Sequence, residues 1–292
     1  MLRAAVVTLR PHQWVKNLFV AAPLVFAKHL GDGGYLERAA LAVLAFCMLS
    51  GAVYAFNDVR DVDADRAHPR KRNRPIAAGQ LSERAGMVLA TGLATAALLL
   101  ALVLSPVTAA WAAGYLVMNV AYSLRLKHVA FVDVLVIAAG FIARVAAGGA
   151  AIAVTPSPWL LLCTGLLATF LGLGKRAHEL TLALRDGRDA AATRAALAGY
   201  SLGVVRAAMV VLGLATGVAY FLYTIDHHTV GFFGTEQLPW SVPFGLFGLG
   251  RFAWLTLVRP GKDSPTDAML RDPIFLLNLA AWGASILIIV YR

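Results

Sequence analysis

The densest chemistry in this chain lies in its first third. Residues 57–65 read N-D-V-R-D-V-D-A-D, and residues 66–79 continue R-A-H-P-R-K-R-N-R-P-I-A-A-G. On a helix Asp58, Asp61 and Asp65 fall at i, i+3 and i+7, so they project from one face. Asn57, four residues before Asp61, joins that face, whereas Asp63 falls on the opposite side. Carboxylates clustered in this way repel one another unless a cation sits among them. Hard oxygen ligands at a membrane edge suit Mg²⁺, which takes one or two carboxylates and completes its shell with water and substrate phosphate. The basic run that follows, with Lys71 and Arg74, offers donors for the rest of such a phosphate. The plainer alternative is a charged loop that marks membrane topology. Asn57 ahead of the acids and K-R-N-R-P behind them favour a metal–diphosphate site.

The elements that must position these residues are membrane helices. The chain has 292 residues, 59% hydrophobic and 14% charged, with a mean hydropathy of +0.70. Its apolar runs approach the ~20 residues that cross a bilayer core of about 30 Å. The expected class is all-α: one polytopic membrane domain over residues 1–292, with about nine spans. They are read at 12–30, 36–56, 86–104, 107–124, 129–154, 159–173, 198–223, 242–258 and 273–291. No cleavable signal peptide is expected, because no small-residue cleavage site precedes the first long run. Cys47 and Cys163 both lie in apolar runs without disulfide or metal spacing and read as small buried residues.

With the N-terminus in the cytoplasm, the loops alternate in charge. The inside loops carry Arg60, Arg66, Arg70, Lys71, Arg72, Arg74 and Arg84, then Arg125 and Lys127, then Lys175, Arg176, Arg185, Arg188 and Arg194, then Arg259, Lys262 and Arg271. The outside loops are short or lack Lys and Arg, except for the first, with Lys28 and Arg38. This is the positive-inside pattern, and it places the chemically rich loops together on the cytoplasmic side of the plasma (inner) membrane. The formal charge of +10 is then accounted for by anionic lipid and an anionic substrate, and no nucleic acid is expected.

Other polar residues fall into place around this plan. In R-P-H-Q-W-V-K-N (10–17), Trp14 suits the membrane interface, and Lys16 and Asn17 sit at the cytoplasmic end of the first span. A snorkelling anchor is the plain role for Lys16. Y-S-L-R-L-K-H (122–128) brings Tyr122 and Lys127 to the same side. Asp133 and Arg144 lie eleven residues apart on one helix face, separated by about 16 Å. They are too far apart to pair directly, so each must face protein or a polar cavity. Asp133 is expected to line the site, and Arg144 either to serve the site or to act as a structural clamp. In L-G-L-G-K-R-A-H-E-L (171–180), Glu179 lies four residues after Lys175 and three after Arg176, where an ion pair within the helix is the plain reading. Residues 185–189 read as a turn, and 259–271 as a connector. His227 and His228, on the outside, lack a third metal ligand.

The acid motif at the end of the second span, R-P-I-A-A-G after it and the nine-span plan together resemble the UbiA superfamily of intramembrane prenyltransferases. The resemblance covers essentially the whole chain. It implies helices around a central cavity, a polar cytoplasmic cap, a lateral opening to lipid, and Mg²⁺ bridging Asp carboxylates and a substrate diphosphate. One departure narrows it. Members that join a polyprenyl diphosphate to an aromatic acceptor have a second Asp-rich motif after the sixth span, where this chain has G-K-R-A-H-E-L; Asp186 and Asp189 follow in a Gly turn without the family spacing. Cations in place of carboxylates suit two phosphate-bearing substrates. R-P-H-Q-W-V-K-N, Y-S-L-R-L-K-H and G-K-R-A-H-E-L resemble the phosphoribosyl branch of the superfamily. That implies a glycosyltransferase moving 5-phosphoribose from 5-phosphoribosyl 1-diphosphate to a polyprenyl (decaprenyl) phosphate with release of diphosphate, toward decaprenyl-phosphoryl arabinose for cell-wall arabinan.

On this reading Asp58, Asp61 and Asp65 hold Mg²⁺, and Asn57 orients a carboxylate or metal-bound water. Lys16, Asn17, Lys71, Arg74, Tyr122, Lys127, Lys175 and Arg176 hold phosphate, with Asp133, Arg144 and Glu179 in support. The partners are the two substrates and membrane lipid, with a homo-oligomer allowed. The competing readings are an aromatic prenyltransferase of the same superfamily and a non-catalytic transporter or scaffold. Excess cations and the weak second acidic motif oppose the first. Polar residues gathered at one membrane face oppose the second.

Overall fold

The computed structural model describes residues 1–69, 71–185, 187, 195–261 and 264–292. The expectations for Arg70, Asp186, Arg188, Asp189, Arg194 and Lys262 lie outside the described residues. Every regular element among those described is helical. Among the described residues seven helices are long and apolar enough to cross a membrane: α3 (Gly33–Arg60), α5 (Glu83–Leu104), α6 (Pro106–Leu124), α7 (Val132–Ala151), α8 (Pro158–Arg185), α9 (Leu202–Ile225) and α13 (Pro273–Tyr291).

The other two expected spans fall on shorter elements. The first is a 3-10 stretch, Pro11–Ala21, running directly into α2 (Ala22–Phe26). Eleven residues of 3-10 and five of α-helix rise roughly 22 Å and 7.5 Å along their axes. The tighter winding thus gives a short run a length near that of a bilayer core. Its packing demands close approach: a Cβ on Gly148 of α7 would lie 1.8 Å from the Val20 carbonyl oxygen. The other short element is α11 (Val242–Leu257), 16 residues rising about 24 Å.

The chain divides into two compact units, one formed by Met1–Leu124 with Gly140–Pro156 and the other by Arg125–Ala139 with Ser157–Arg292. In the first unit α3 packs along α5. Small residues allow this approach, which is how apolar helices associate where lipid is as apolar as their side chains. The buried cluster contains Ala42, Phe46, Leu49, Ala97, Ala101, Tyr115 and Ala147. Arg38, read from the sequence as part of a basic outside loop, lies in α3. Its Nε donates to the Ala151 carbonyl (2.7 Å) and its Nη2 to the Leu104 carbonyl (2.6 Å), so it caps the C-terminal ends of α5 and α7. Those carbonyls have no partner within their own helices.

In the second unit α9 packs on α8 and α11, and α11 on α13. Phe170, Met209 and Phe252 are fully buried in its core. The region expected to be a plain connector folds after residue 263 into α12 (Pro265–Arg271), capped by Ser264, whose Oγ accepts from the Asp267 amide (3.3 Å). The segment read from the sequence as an outside loop contains α10 (His227–Phe233), capped in the same manner by Asp226.

Candidate functional site

The acid motif is carried by two helices. α3 runs through Asn57 and Asp58 and stops at Arg60; Asp61 (φ −99°, ψ 14°) breaks the geometry, and α4 (Val62–Ala67) resumes. The break keeps Asp58 and Asp65 on a shared partner. Arg74 Nη1 donates to Asp58 Oδ1 (3.1 Å) and to Asp65 Oδ2 (2.6 Å). Lys71 Nζ lies 3.9 Å from Asp65 Oδ1, within ion-pair but not hydrogen-bond range. Asp63, excluded by spacing, is exposed and pairs with Arg66. Asp61 is half-buried.

One basic residue at this site was missed from the sequence. Arg10 Nη2 donates to Asp58 Oδ1 at 2.5 Å, and its guanidinium lies 4.8 Å from the centre of the Tyr54 ring. Arg10 separates α1 (Leu2–Leu9) from the 3-10 stretch and holds a left-handed conformation (φ 51°, ψ 63°), which is uncommon for a non-glycine residue. Only the R-P that opens the N-terminal motif hinted at a special backbone there.

The acid cluster has the donor set of a hard-cation site. The Asp58 and Asp65 side chains are each 1% exposed. Asn57 Oδ1, Asp58 Oδ2 and Asp65 Oδ1 are buried and receive no hydrogen bond. Buried oxygens without donors are costly, doubly so when anionic. A divalent cation bound by oxygen satisfies such atoms. Among the described residues no three His, Cys, Asp or Glu side chains, the expected Asp58, Asp61 and Asp65 included, are grouped so as to hold a metal ion by themselves. This suits Mg²⁺, which keeps several waters and takes substrate phosphate as a ligand.

Two other expected site residues are committed elsewhere. Asn17 is fully buried. Its Nδ2 donates to Ser50 Oγ (2.9 Å) and Cys47 Sγ (3.3 Å), and its Oδ1 accepts from Arg144 Nε (2.9 Å). Arg144 also donates to the Gly140 carbonyl (3.0 Å) and Tyr115 Oη (2.8 Å) and lies over the Tyr115 ring. Asn17, expected among the phosphate ligands, has its oxygen and amide both occupied in the core, where it meets Arg144. Arg144 has the buried, multiply bonded surroundings that the clamp alternative describes. Lys16, next to Asn17, is half-buried and donates to Gln13 Oε1 (2.6 Å). Tyr122 is half-buried in the last turn of α6.

The second unit carries its own polar cluster. Arg176 is 0% exposed. Its Nε lies 2.9 Å from Asp133 Oδ2, and its Nη1 donates to Glu179. The ion pair within the helix is thus present, and Asp133 joins it as a second carboxylate, so Arg176 sits between two acids where a phosphate contact was expected. Lys175 beside it is exposed, and Lys127 is half-buried in a 3-10 turn, Leu126–His128. Tyr200, passed over in the sequence, donates to Asp133 Oδ1 (2.6 Å) and accepts from the Phe131 amide (2.6 Å). Burial, then the bond to Asp133, pushes its phenol pKa above the ordinary value.

Residues 18–282 match the UbiA prenyltransferase family. A protein of Mycobacterium tuberculosis (strain H37Rv) named decaprenyl-phosphate phosphoribosyltransferase is 35% identical over 295 residues, covering 98% of this chain and 94% of its own length. A protein of the same name from Corynebacterium glutamicum is 34% identical, covering 97% of this chain and 85% of its own. Among solved structures, a UbiA homolog from Archaeoglobus fulgidus bound to DMAPP and Mg²⁺ aligns with a TM-score of 0.74 at 15% identity, covering 98% of this chain and 99% of that one.

Proposed function

This chain belongs to the UbiA prenyltransferase family, and from that membership we propose that it is a polyprenyl-phosphate phosphoribosyltransferase. It is a multi-pass membrane protein. The reaction moves 5-phosphoribose from 5-phosphoribosyl 1-diphosphate to a polyprenyl phosphate, of which decaprenyl phosphate is the expected form, and releases diphosphate. The relatives named for this activity support the reading across nearly the full chain. The cytoplasmic face of the plasma membrane is the side on which the charge pattern puts the site.

The observation that carries the reading is the set of three donor-less oxygens on Asn57, Asp58 and Asp65, flanked by Arg10 and Arg74. Asp58, Asp65 and Asn57, with Asp61 at the break, would hold Mg²⁺, which supplies charge neutralisation to the leaving diphosphate. Arg10 and Arg74 aim the carboxylates through their hydrogen bonds and present guanidinium donors beside them. Lys71, half-exposed at the rim, adds a mobile charge for phosphate. In the second unit Lys127 and Lys175 are the phosphate-binding candidates, and Arg176, Asp133 and Glu179 hold their surroundings in place. The acceptor phosphate is already an anion near neutral pH, so it needs positioning more than deprotonation. No histidine is required as a general base.

Thermal unfolding of the purified protein tests this. Mg²⁺ with phosphoribosyl diphosphate should raise the Tm, and Mg²⁺ with geranyl diphosphate should not. Stabilisation by geranyl diphosphate alone would move the chain to prenyl-diphosphate chemistry.

A further inference from the structure

The turn that carries Lys127 is held by residues far from it in sequence. Leu126–His128 is a single 3-10 turn, too short to define its own geometry. It leads into Phe131, which has φ 64°, a conformation unfavourable for an aromatic residue and maintained only where surroundings impose it. Those surroundings are visible. The Phe131 amide donates to Tyr200 Oη, which in turn donates to Asp133 Oδ1, each at 2.6 Å. The Phe131 and Tyr200 rings pack at 4.7 Å between centres. The other Asp133 oxygen lies 2.9 Å from Nε of the buried Arg176, within ion-pair range. Tyr200 is brought to the turn by residues 195–199, which pass so close that a Cβ on Gly199 would lie 2.8 Å from that of Ala130.

We propose that Tyr200, acting through the Phe131 amide and Asp133, is a positioning residue that holds the Lys127 turn in the conformation used to bind substrate phosphate. The proposal rests on the phosphate-binding reading of Lys127 given above. A phenol suits the task because one hydroxyl both accepts from the amide and donates to the carboxylate. Phenylalanine would fill the same space and do neither.

The test uses the full-length protein in lipid nanodiscs. Amide hydrogen exchange over residues 126–131 should be about tenfold faster in Tyr200→Phe than in the parent, with distant helices unchanged. Unchanged exchange in the turn would overturn the proposal. In case Tyr200→Phe does not fold, Asp133→Asn is compared with Asp133→Ala. The amide oxygen of Asn still accepts from Tyr200, so it should keep more of the turn's protection than Ala does; equal protection in the two would count against the proposal. A double-mutant cycle then addresses function. Tyr200→Phe should raise the KM for a phosphate substrate roughly five- to tenfold with kcat little changed, and should add nothing in a Lys127→Ala background. Additive effects would mean that Tyr200 acts elsewhere. A Lys127→Ala protein with parental KM, alongside faster exchange in Tyr200→Phe, would remove the phosphate role of Lys127 and leave Tyr200 as the residue that holds the turn.

Discussion

Replacing Asn17 by Ala separates a structural from a substrate-binding role for the N-terminal motif. The change removes two neutral donations, to Ser50 Oγ and Cys47 Sγ, and the oxygen that accepts from Arg144 Nε. Hydrogen bonds between membrane helices contribute on average about 0.6 kcal/mol each, and one to a charged group about 1.5–3 kcal/mol. The site is fully buried, so Arg144 loses its partner without gaining free access to water. The expected cost is roughly 3–4 kcal/mol, which at about 2 °C per kcal/mol for a chain of this size lowers the Tm by about 6–8 °C. Thermal unfolding in detergent, followed by tryptophan fluorescence, measures this. Kinetics on the folded fraction at low temperature should give a parental KM for both substrates. A raised KM with an unchanged Tm would refute the clamp and return Asn17 to the phosphate site.

Further outcomes follow from the same contacts. Asp58→Asn and Asp61→Asn should abolish turnover and Mg²⁺-dependent stabilisation while leaving the far-ultraviolet spectrum intact; near-normal activity in both would remove the metal assignment. Arg38→Met should cost roughly 3 kcal/mol, since two carbonyls lose charged donors worth about 1.5 kcal/mol each, which lowers the Tm by about 6 °C, and should leave kcat unchanged; a Tm within error of the parent would contradict the capping role. The Arg251 guanidinium, and after burial the Phe275 amide, act on Asp272, with the net effect of lowering its carboxyl pKa. This carboxylate therefore stabilises the fold above its unfolded value and loses that contribution as pH falls through its lower folded value. Asp272→Asn should flatten the acid limb of the stability profile, and an unaltered limb would show that this pair does not matter.

The sequence was most readable where one local rule suffices. Hydropathy marked the seven long helices, and spacing separated the exposed Asp63 from Asp58 and Asp65, although the single helix face it assumed is broken at Asp61. It was least readable where a partner is remote or the helix type changes. Arg10 reaches Asp58 across 48 residues, Arg144 reaches Asn17 across 127, and Tyr200 reaches Asp133 across 67. No periodicity within a helix reports such pairs. The first span was legible as apolar but not as 3-10, because its winding answers to the approach of Val20 to Gly148. Arg38 looked like an exception to charge topology because charge counting cannot see the two helix ends that it caps.

The central claim is a transfer of phosphoribose to a lipid phosphate. The direct measurement mixes purified protein with radiolabelled 5-phosphoribosyl 1-diphosphate, decaprenyl phosphate and Mg²⁺, then follows the label into organic solvent. The account predicts label in the lipid phase, lost with EDTA and in Asp58→Asn. Label that stays in water with polyprenyl phosphates of several lengths, while a polyprenyl diphosphate is consumed against an aromatic acceptor, would contradict it.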